Sequence, residues 1–245
     1  MEFGNSEEMT ASKYLIVNAD DFGQSAGINR GIIKAHERGV VTSASLMVRW
    51  PAALVAAQYA REHPELDVGL HLDFGEWIYR HDEWEPLYEV ISADDRIEVV
   101  SEISHQLGKF RSLMGRAPTH IDSHQHVHLR EPARSVAIEI ANDLRVPLRS
   151  CNSEARYVGG FYGQTAEGLS LPDVISIKGL IKILRELPNG ISELGCHPGF
   201  ADGLDTMYKS ERTEEIKVLC DARIKEAIGA MGIELCSFAD LPAKV

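Results

Sequence analysis

The chain has 245 residues, with 37 acids against 25 bases, a formal charge of −12, 44% hydrophobic and 25% charged residues. That composition suits a folded chain, one α/β barrel or two small domains, and argues against disorder of its bulk. The acidic balance, with no Lys/Arg cluster, argues against nucleic acid, an anionic membrane surface or a polyanionic substrate, and favours a neutral or cationic one. Residues 1–13 are polar and lack the apolar core of a signal peptide, so they are expected to be a disordered tail or a remnant before a native start at Met9. Tyr14–Val17 is a compact apolar strand. Ile28–Arg38 has helical spacing, with Ile28, Ile32 and Ala35 on one face and Gly39 as its stop. Val40–Val48 is expected to be the next strand, followed by a helix from Pro51 to about His63 and a strand over Asp67–Asp73. Phe74–Ile91 shows no clear period.

Asp94–Met114 carries a helical stripe of Ile97, Val100, Ile103, Leu107, Phe110 and Met114. Pro118 breaks the pattern, Thr119–His124 is an expected strand, Pro132–Leu144 a helix and Val146–Arg149 a short strand. Tyr157–Leu171 is Gly-rich and aromatic, a loop with some strand. Pro172–Leu187 is expected to be helical, Ser192–Cys196 a strand, Glu211–Met231 one long helix and Ile233–Cys236 a last strand. This alternation predicts a parallel sheet covered by helices, a distorted (β/α) barrel of about seven strands over residues 14–245 as a single domain. No GxGxxG opens the first helix, so a dinucleotide fold has no support. No apolar run reaches the roughly 18–20 residues of a membrane span. Cys151, Cys196, Cys220 and Cys236 form no CxxC pair and read as reduced thiols of a cytoplasmic chain.

Four motifs fall at the carboxyl ends of expected strands, the face that carries active sites in parallel α/β folds. The first is Asp20-Asp21 in the stretch NADDFG (residues 18–23). Adjacent strand side chains point to opposite faces, but a turn lets both approach one centre, where one carboxylate binds a metal and the other takes a proton. The second is His71, in GLHLD. The third is the run from Thr119 to His128, where four of the ten histidines fall in nine residues. His120, Asp122, His124, His126 and His128 share parity, so an extended strand places them on one face. Neutral imidazole is the commonest protein metal ligand, but four cannot all bind one ion, and spacing does not choose among them. The fourth is His197, in CHPGF, expected to titrate near its ordinary value and to serve as a general acid. The mixed Asp/His set without clustered Cys points to a single divalent ion (zinc, magnesium, manganese, cobalt or nickel) in a hydrolytic site.

At these residues the chain resembles the YdjC-like carbohydrate deacetylases. The matching stretches are LIVNADDFG (15–23), GII (31–33), GVVTSAS (39–45), VGLH (68–71), PTHIDSHQHVH (118–128) and CHP (196–198). The resemblance implies a barrel related to the polysaccharide deacetylases and removal of an acetyl group from an N-acetylated amino sugar, a chitooligosaccharide or a related glycan or glycolipid. By position it implies Asp21, His71 and His124 as metal ligands, Asp20 as base and His197 as acid. Asp122, His126 and His128 would support the site or touch substrate. The stretches after His71 and over Cys151–Leu171 depart from the family pattern. Phe161 and Tyr162 are candidate substrate contacts there, with Trp77, Tyr79, Trp84, Tyr157 and Phe200 as further stacking surfaces. The expected partner is a small N-acetylated sugar, with no nucleic acid and no membrane span; self-association is left open. Cleavage of another amide or ester, or a non-catalytic metal-binding role, are the alternatives. A glycosidase fits less well, because neighbouring carboxylates cannot easily flank a glycosidic bond.

Overall fold

The structure is a computed structural model that describes residues 12–151, 154–200 and 203–241. The expected tail lies outside the described residues except for Ser12 and Lys13, and Lys13 already opens the first strand. The strands are β1 (Lys13–Phe22), β2 (Ser43–Leu46), β3 (Asp67–Leu72), β4 (Gly75–Arg80), β5 (Glu83–Glu89), β6 (Ile121–Ser123), β7 (Arg156–Val158), β8 (Gly190–Cys196) and β9 (Ile233–Cys236). The helices are α1 (Ala26–Arg38), α2 (Ala53–Glu62), α3 (Arg96–Met114), α4 (Ala133–Leu144), α5 (Ile177–Glu186), α6 (Ser210–Leu219) and α7 (Ala222–Ala230). No helix among the described residues is long and apolar enough to cross a membrane.

Seven strands form one parallel sheet in the order β6-β3-β2-β1-β8-β7, with β9 also on β1. This is the expected distorted barrel. β8 pairs with Lys13–Ala19 along one edge of β1. The opposite edge is shared: β9 takes Lys13–Ile16 and β2 takes Asn18–Phe22. Among the described residues β6 and β7 end the order and do not pair with each other, so the sheet does not close between them.

β1 is buried along nearly its whole length because both of its faces are covered. Leu15, Val17 and Ala19 belong to the main apolar core, which also holds Ile28, Ile32 and Ala35 of α1. Each such large side chain contributes about 1.5–3 kcal/mol on burial. The alternate residues of β1 have a different fate. Ile16 packs low in the barrel with Ala155 and Phe238. Above it Asn18 and Asp20 enter a polar layer. Two glycines make room for that layer: a Cβ on Gly69 would fall 2.5 Å from the His120 ring, and one on Gly195 would fall 2.7 Å from the Tyr157 hydroxyl.

Several local expectations are corrected. Phe74–Ile91 is an antiparallel hairpin, β4 on β5, closed at His81 and Asp82 with φ of 54° and 64°. These left-handed values suit the right-handed twist of a two-residue turn. Ser192–Cys196 is longer than expected, β2 and β6 are shorter, and Val146–Arg149 makes one bridge, Leu148 to Ile121, rather than a strand. α5 starts late because Ser176 caps it, accepting from the Gly179 N–H. The long helix over Glu211–Met231 is two helices. Asp221 accepts the Arg223 N–H and caps α7, so an Asp inside an unbroken helical period marks a boundary.

Candidate active site

The carboxyl ends of β1, β3, β6 and β8 bring Asp20, Asp21, His71, Asp122 and His197 to one rim. The twin aspartates reach it together because β1 does not end as a flat strand. Its register with β2 shifts between Ala19 and Phe22, and Asp21 has φ of 67°. Left-handed backbone at a non-Gly residue costs of order 1–3 kcal/mol and persists where the surroundings hold it. Two groups of ligand atoms result, each mutually within 4.8 Å: Asp21, His71 and His124, and Asp20, His71 and Asp122.

Around Asp21, Oδ1 lies 3.3 Å from His71 Nε2 and 2.9 Å from His124 Nδ1. Its Oδ2 accepts from Arg212 Nη2 at 2.6 Å. His71 Nδ1 is 2.8 Å from Asp122 Oδ1, which fixes the ring and turns Nε2 toward Asp21. Glu76, at the start of the hairpin, is 3.6 Å from His124 Nε2. Burial alone would lower both histidine pKa values. Asp122 on one side and Asp21 on the other override it, raising His71 to about 9 and His124 well above its usual range. The same surroundings would favour a cation. His71 Nε2 and His124 Nε2 are buried without a hydrogen-bond partner. A carboxylate and two imidazoles with open, buried nitrogens fit a divalent ion.

Around Asp20 the cation is already present. Arg149 is 2% exposed and crosses the barrel interior. It donates to both Asp20 oxygens at 2.7 and 2.8 Å, to Glu193 at 2.6 Å, and lies 2.7 Å from Asp122 Oδ2. Asn18 Nδ2 adds a bond to Asp20 Oδ1 at 2.8 Å, and Ser45 Oγ donates to Asp122 at 2.7 Å. Burial alone would raise the Asp20 pKa; Arg149 overrides it, so the carboxyl stays ionised. Glu193 responds oppositely: burial outweighs Arg149 and raises it to about 7.

His197 follows β8 directly, its Nε2 3.8 Å from Asp20 Oδ2. Burial lowers its pKa to about 4 against the pull of Asp20 and Asp21, so it rests neutral rather than near its ordinary value as expected. Its backbone N–H donates to Glu215, which also accepts from the Tyr208 hydroxyl. Tyr162 is 37% exposed, stacks on Tyr208 at 4.3 Å and turns its edge to His197 at 5.4 Å.

The histidine run does not share one strand face. β6 stops at Ser123, and residues 124–129 turn through a 3-10 segment in which Gln125 and His126 have φ of 49° and 53°. The side chains scatter. His120 bonds Ser45 and Thr119 and stacks on Phe238 at 3.8 Å; burial lowers it to about 3. His128 is fully buried between Ser123 Oγ at 2.6 Å and the Arg149 carbonyl at 3.0 Å. His126 faces the Tyr157 hydroxyl at 3.4 Å. Only His124 of the four reaches Asp21. Phe161 has no exposed surface and packs in the core, so its ring presents no open face for a sugar. Tyr79 and Trp84 face one another across the hairpin, on the strand face opposite to Glu76, and so do not line the rim.

Sequence reasoning missed Arg149, Arg212, Glu76, Tyr208 and Glu215. Arg149 was a lone cation at the end of an apolar stretch. Tyr208, Arg212 and Glu215 have i, i+4, i+7 spacing, the signature of one helical face, but polar residues there normally mark the solvent side.

The YdjC-like protein family pattern matches residues 14–230. The chain is 34% identical to a carbohydrate deacetylase of Geobacillus stearothermophilus, over 93% of this chain and 98% of that one. It is 33% identical to a chitooligosaccharide deacetylase of Serratia marcescens, over 94% and 99%. A solved structure from Enterococcus faecalis V583, described as a candidate cellobiose-phosphate cleavage protein, superposes with a TM-score of 0.73 at 27% identity, covering 93% of this chain and 98% of the other. With its pattern matched from the first strand to the last helix, the chain belongs to the YdjC-like family.

Proposed function

We propose that the chain is a metal-dependent deacetylase that hydrolyses the acetamido group of an N-acetylated amino sugar. The observation that carries this reading is the convergence of Asp21 Oδ1 on His71 Nε2 and His124 Nδ1 with an Arg-held Asp20 and His197 beside them. Near-full-length identity to carbohydrate deacetylases supports it. Asp21, His71 and His124 would hold the ion. When bound, the ion supplies Lewis acidity, polarising a carbonyl and easing loss of a proton from water.

The chain's own groups do the rest. Asp20 is ionised and oriented by Arg149, and its Oδ2 takes a proton from the attacking water. His197 starts neutral, with Nε2 facing Asp20 Oδ2 across 3.8 Å. It receives that proton and passes it to the nitrogen of the leaving amine as the carbon–nitrogen bond breaks. Acetate and the free amine result, and both residues return to their starting protonation. Tyr162 offers a half-open aromatic surface beside His197 for the sugar ring. The net charge of −12 suits an uncharged sugar whose product is cationic. All four cysteines are free, which fits a cytoplasmic site of action.

The test is a panel of N-acetylglucosamine oligomers incubated with the metal-free protein and with each of zinc, magnesium, manganese, cobalt and nickel. Stoichiometric acetate and primary amine release is expected with at least one ion. Cleavage of glycosidic or phosphate bonds instead, or no turnover of any acetylated sugar, would overturn the proposal.

A further inference from the structure

We infer that Arg212 is a positioning residue that ties the metal-binding carboxylate to the acid of the same site. This rests on the reading of Asp21 as a metal ligand and of His197 as the proton donor. Arg212 is 2% exposed, on the buried face of α6. Its guanidinium fork addresses three acceptors on three separate segments: Asp21 Oδ2 at 2.6 Å, the Tyr208 carbonyl at 3.0 Å and the His197 carbonyl at 3.4 Å. One cation thus spans the end of β1, the end of β8 and the start of α6.

The geometry gives this knot a chemical consequence. A carboxylate has two equivalent oxygens and turns about its own axis. With Oδ2 held by Arg212, Oδ1 is the oxygen left to face His71 and His124. The backbone of Asp21 is left-handed, a conformation that its surroundings must hold. The third arm sets the distance from this ligand to His197. Gly199 also donates its N–H to the Arg212 carbonyl, so the stretch after His197 is anchored to the same residue twice. A lysine carries the charge but not the fork, and can satisfy one acceptor at a time.

The experiment uses the full chain with cobalt as probe. Cobalt affinity is measured by competition with a chromophoric chelator, and the visible cobalt absorption reports the geometry of its ligands. Arg212→Lys and Arg212→Met are compared with wild type and with Asp21→Asn, and circular dichroism verifies folding. Both Arg212 variants are expected to bind cobalt about 10–100-fold more weakly, the usual loss for a residue that orients a ligand, with an altered absorption band. The lysine variant keeps charge and volume and carries the test should the methionine variant fail to fold. A folded Arg212→Lys with wild-type affinity and spectrum overturns the inference while leaving the metal site standing. Wild-type cobalt binding by Asp21→Asn removes the site assignment itself, and the inference with it.

Discussion

The half of the site around Asp20 is saturated. Both oxygens of Asp20 are bonded to Arg149, the same guanidinium serves Asp122 and Glu193, and Asn18 and Ser45 complete the layer. Around Asp21, Arg212 holds one oxygen, and the other faces His71 Nε2 and His124 Nδ1; the Nε2 atoms of both rings lack a hydrogen-bond partner. The two residues are chemically identical neighbours. What separates them is the kink that ends β1, which turns one carboxylate onto Arg149 and the other toward Arg212, His71 and His124. On the proposed reading the ligand and the base would be distinguished by these neighbours, which the spacing of a DD pair does not contain.

That division is open to direct attack, and the largest effect belongs to the Asp21 side. Asp21→Asn and His124→Ala are expected to abolish both metal binding and acetate release, read by calorimetric titration and an acetate assay. Asp20→Asn is expected to lower turnover by about 10²–10⁴-fold, the range for loss of a general base, while still binding one ion. Loss of metal binding in Asp20→Asn would merge the two halves into one and break the comparison. Arg149→Met strips the shared counter-ion from Asp20, Asp122 and Glu193. It is expected to cost about 3–5 kcal/mol of folding stability in urea titrations, because three carboxyl groups remain buried without it.

Strand ends were legible where a motif closes a stretch that reads as a strand, and four such stretches ended in Asp or His. NADDFG after LIV, and CHP after a run ending at Cys196, place their polar residues where a parallel sheet stops. The histidine run was legible only as a cluster. The parity argument needed an extended chain, and residues 124–129 turn instead, through left-handed Gln125 and His126 that carry no glycine to announce them. Arg149 and Arg212 were not legible, since Arg149 gathers carboxylates from three separate strands and Arg212 finds Asp21 191 residues away. The hairpin was hidden for a related reason: most of β5 is exposed, so no alternation of apolar and polar residues is required of it.

His128 gives a smaller effect with a definite sign. Burial lowers its pKa to about 4, whereas the unfolded chain has the ordinary value near 6.5. Between those values the unfolded state binds the extra proton, so stability rises with pH through this window and is lost as pH falls through it. At most about 3 kcal/mol is expected at stake, from a shift of this size. His128→Gln should flatten the dependence of the urea midpoint between pH 6.5 and 4, while an unchanged slope would assign the acid sensitivity elsewhere, His120 being the next candidate.

The smallest effect sharpens the comparison most finely. Gln125 imitates a missing strand partner: its Oε1 accepts from the Trp77 N–H at 2.9 Å and its Nε2 donates to the Trp77 carbonyl at 2.7 Å. These bonds hold the hairpin against the turn that carries His124, and the hairpin carries Glu76 to within 3.6 Å of that ring. Gln125 is exposed, so its removal leaves no cavity, and two such bonds are each worth about 0.5–1.5 kcal/mol. Gln125→Ala is expected to speed hydrogen exchange at the Trp77 amide and to weaken metal binding by less than tenfold. Nothing in the Asp20 layer touches the hairpin through Gln125, so the effect of Asp20→Asn on turnover of the metal-saturated enzyme should be the same in either background. Non-additive loss in the double variant would mean that the two halves communicate through the hairpin, and that the division drawn at β1 is too sharp.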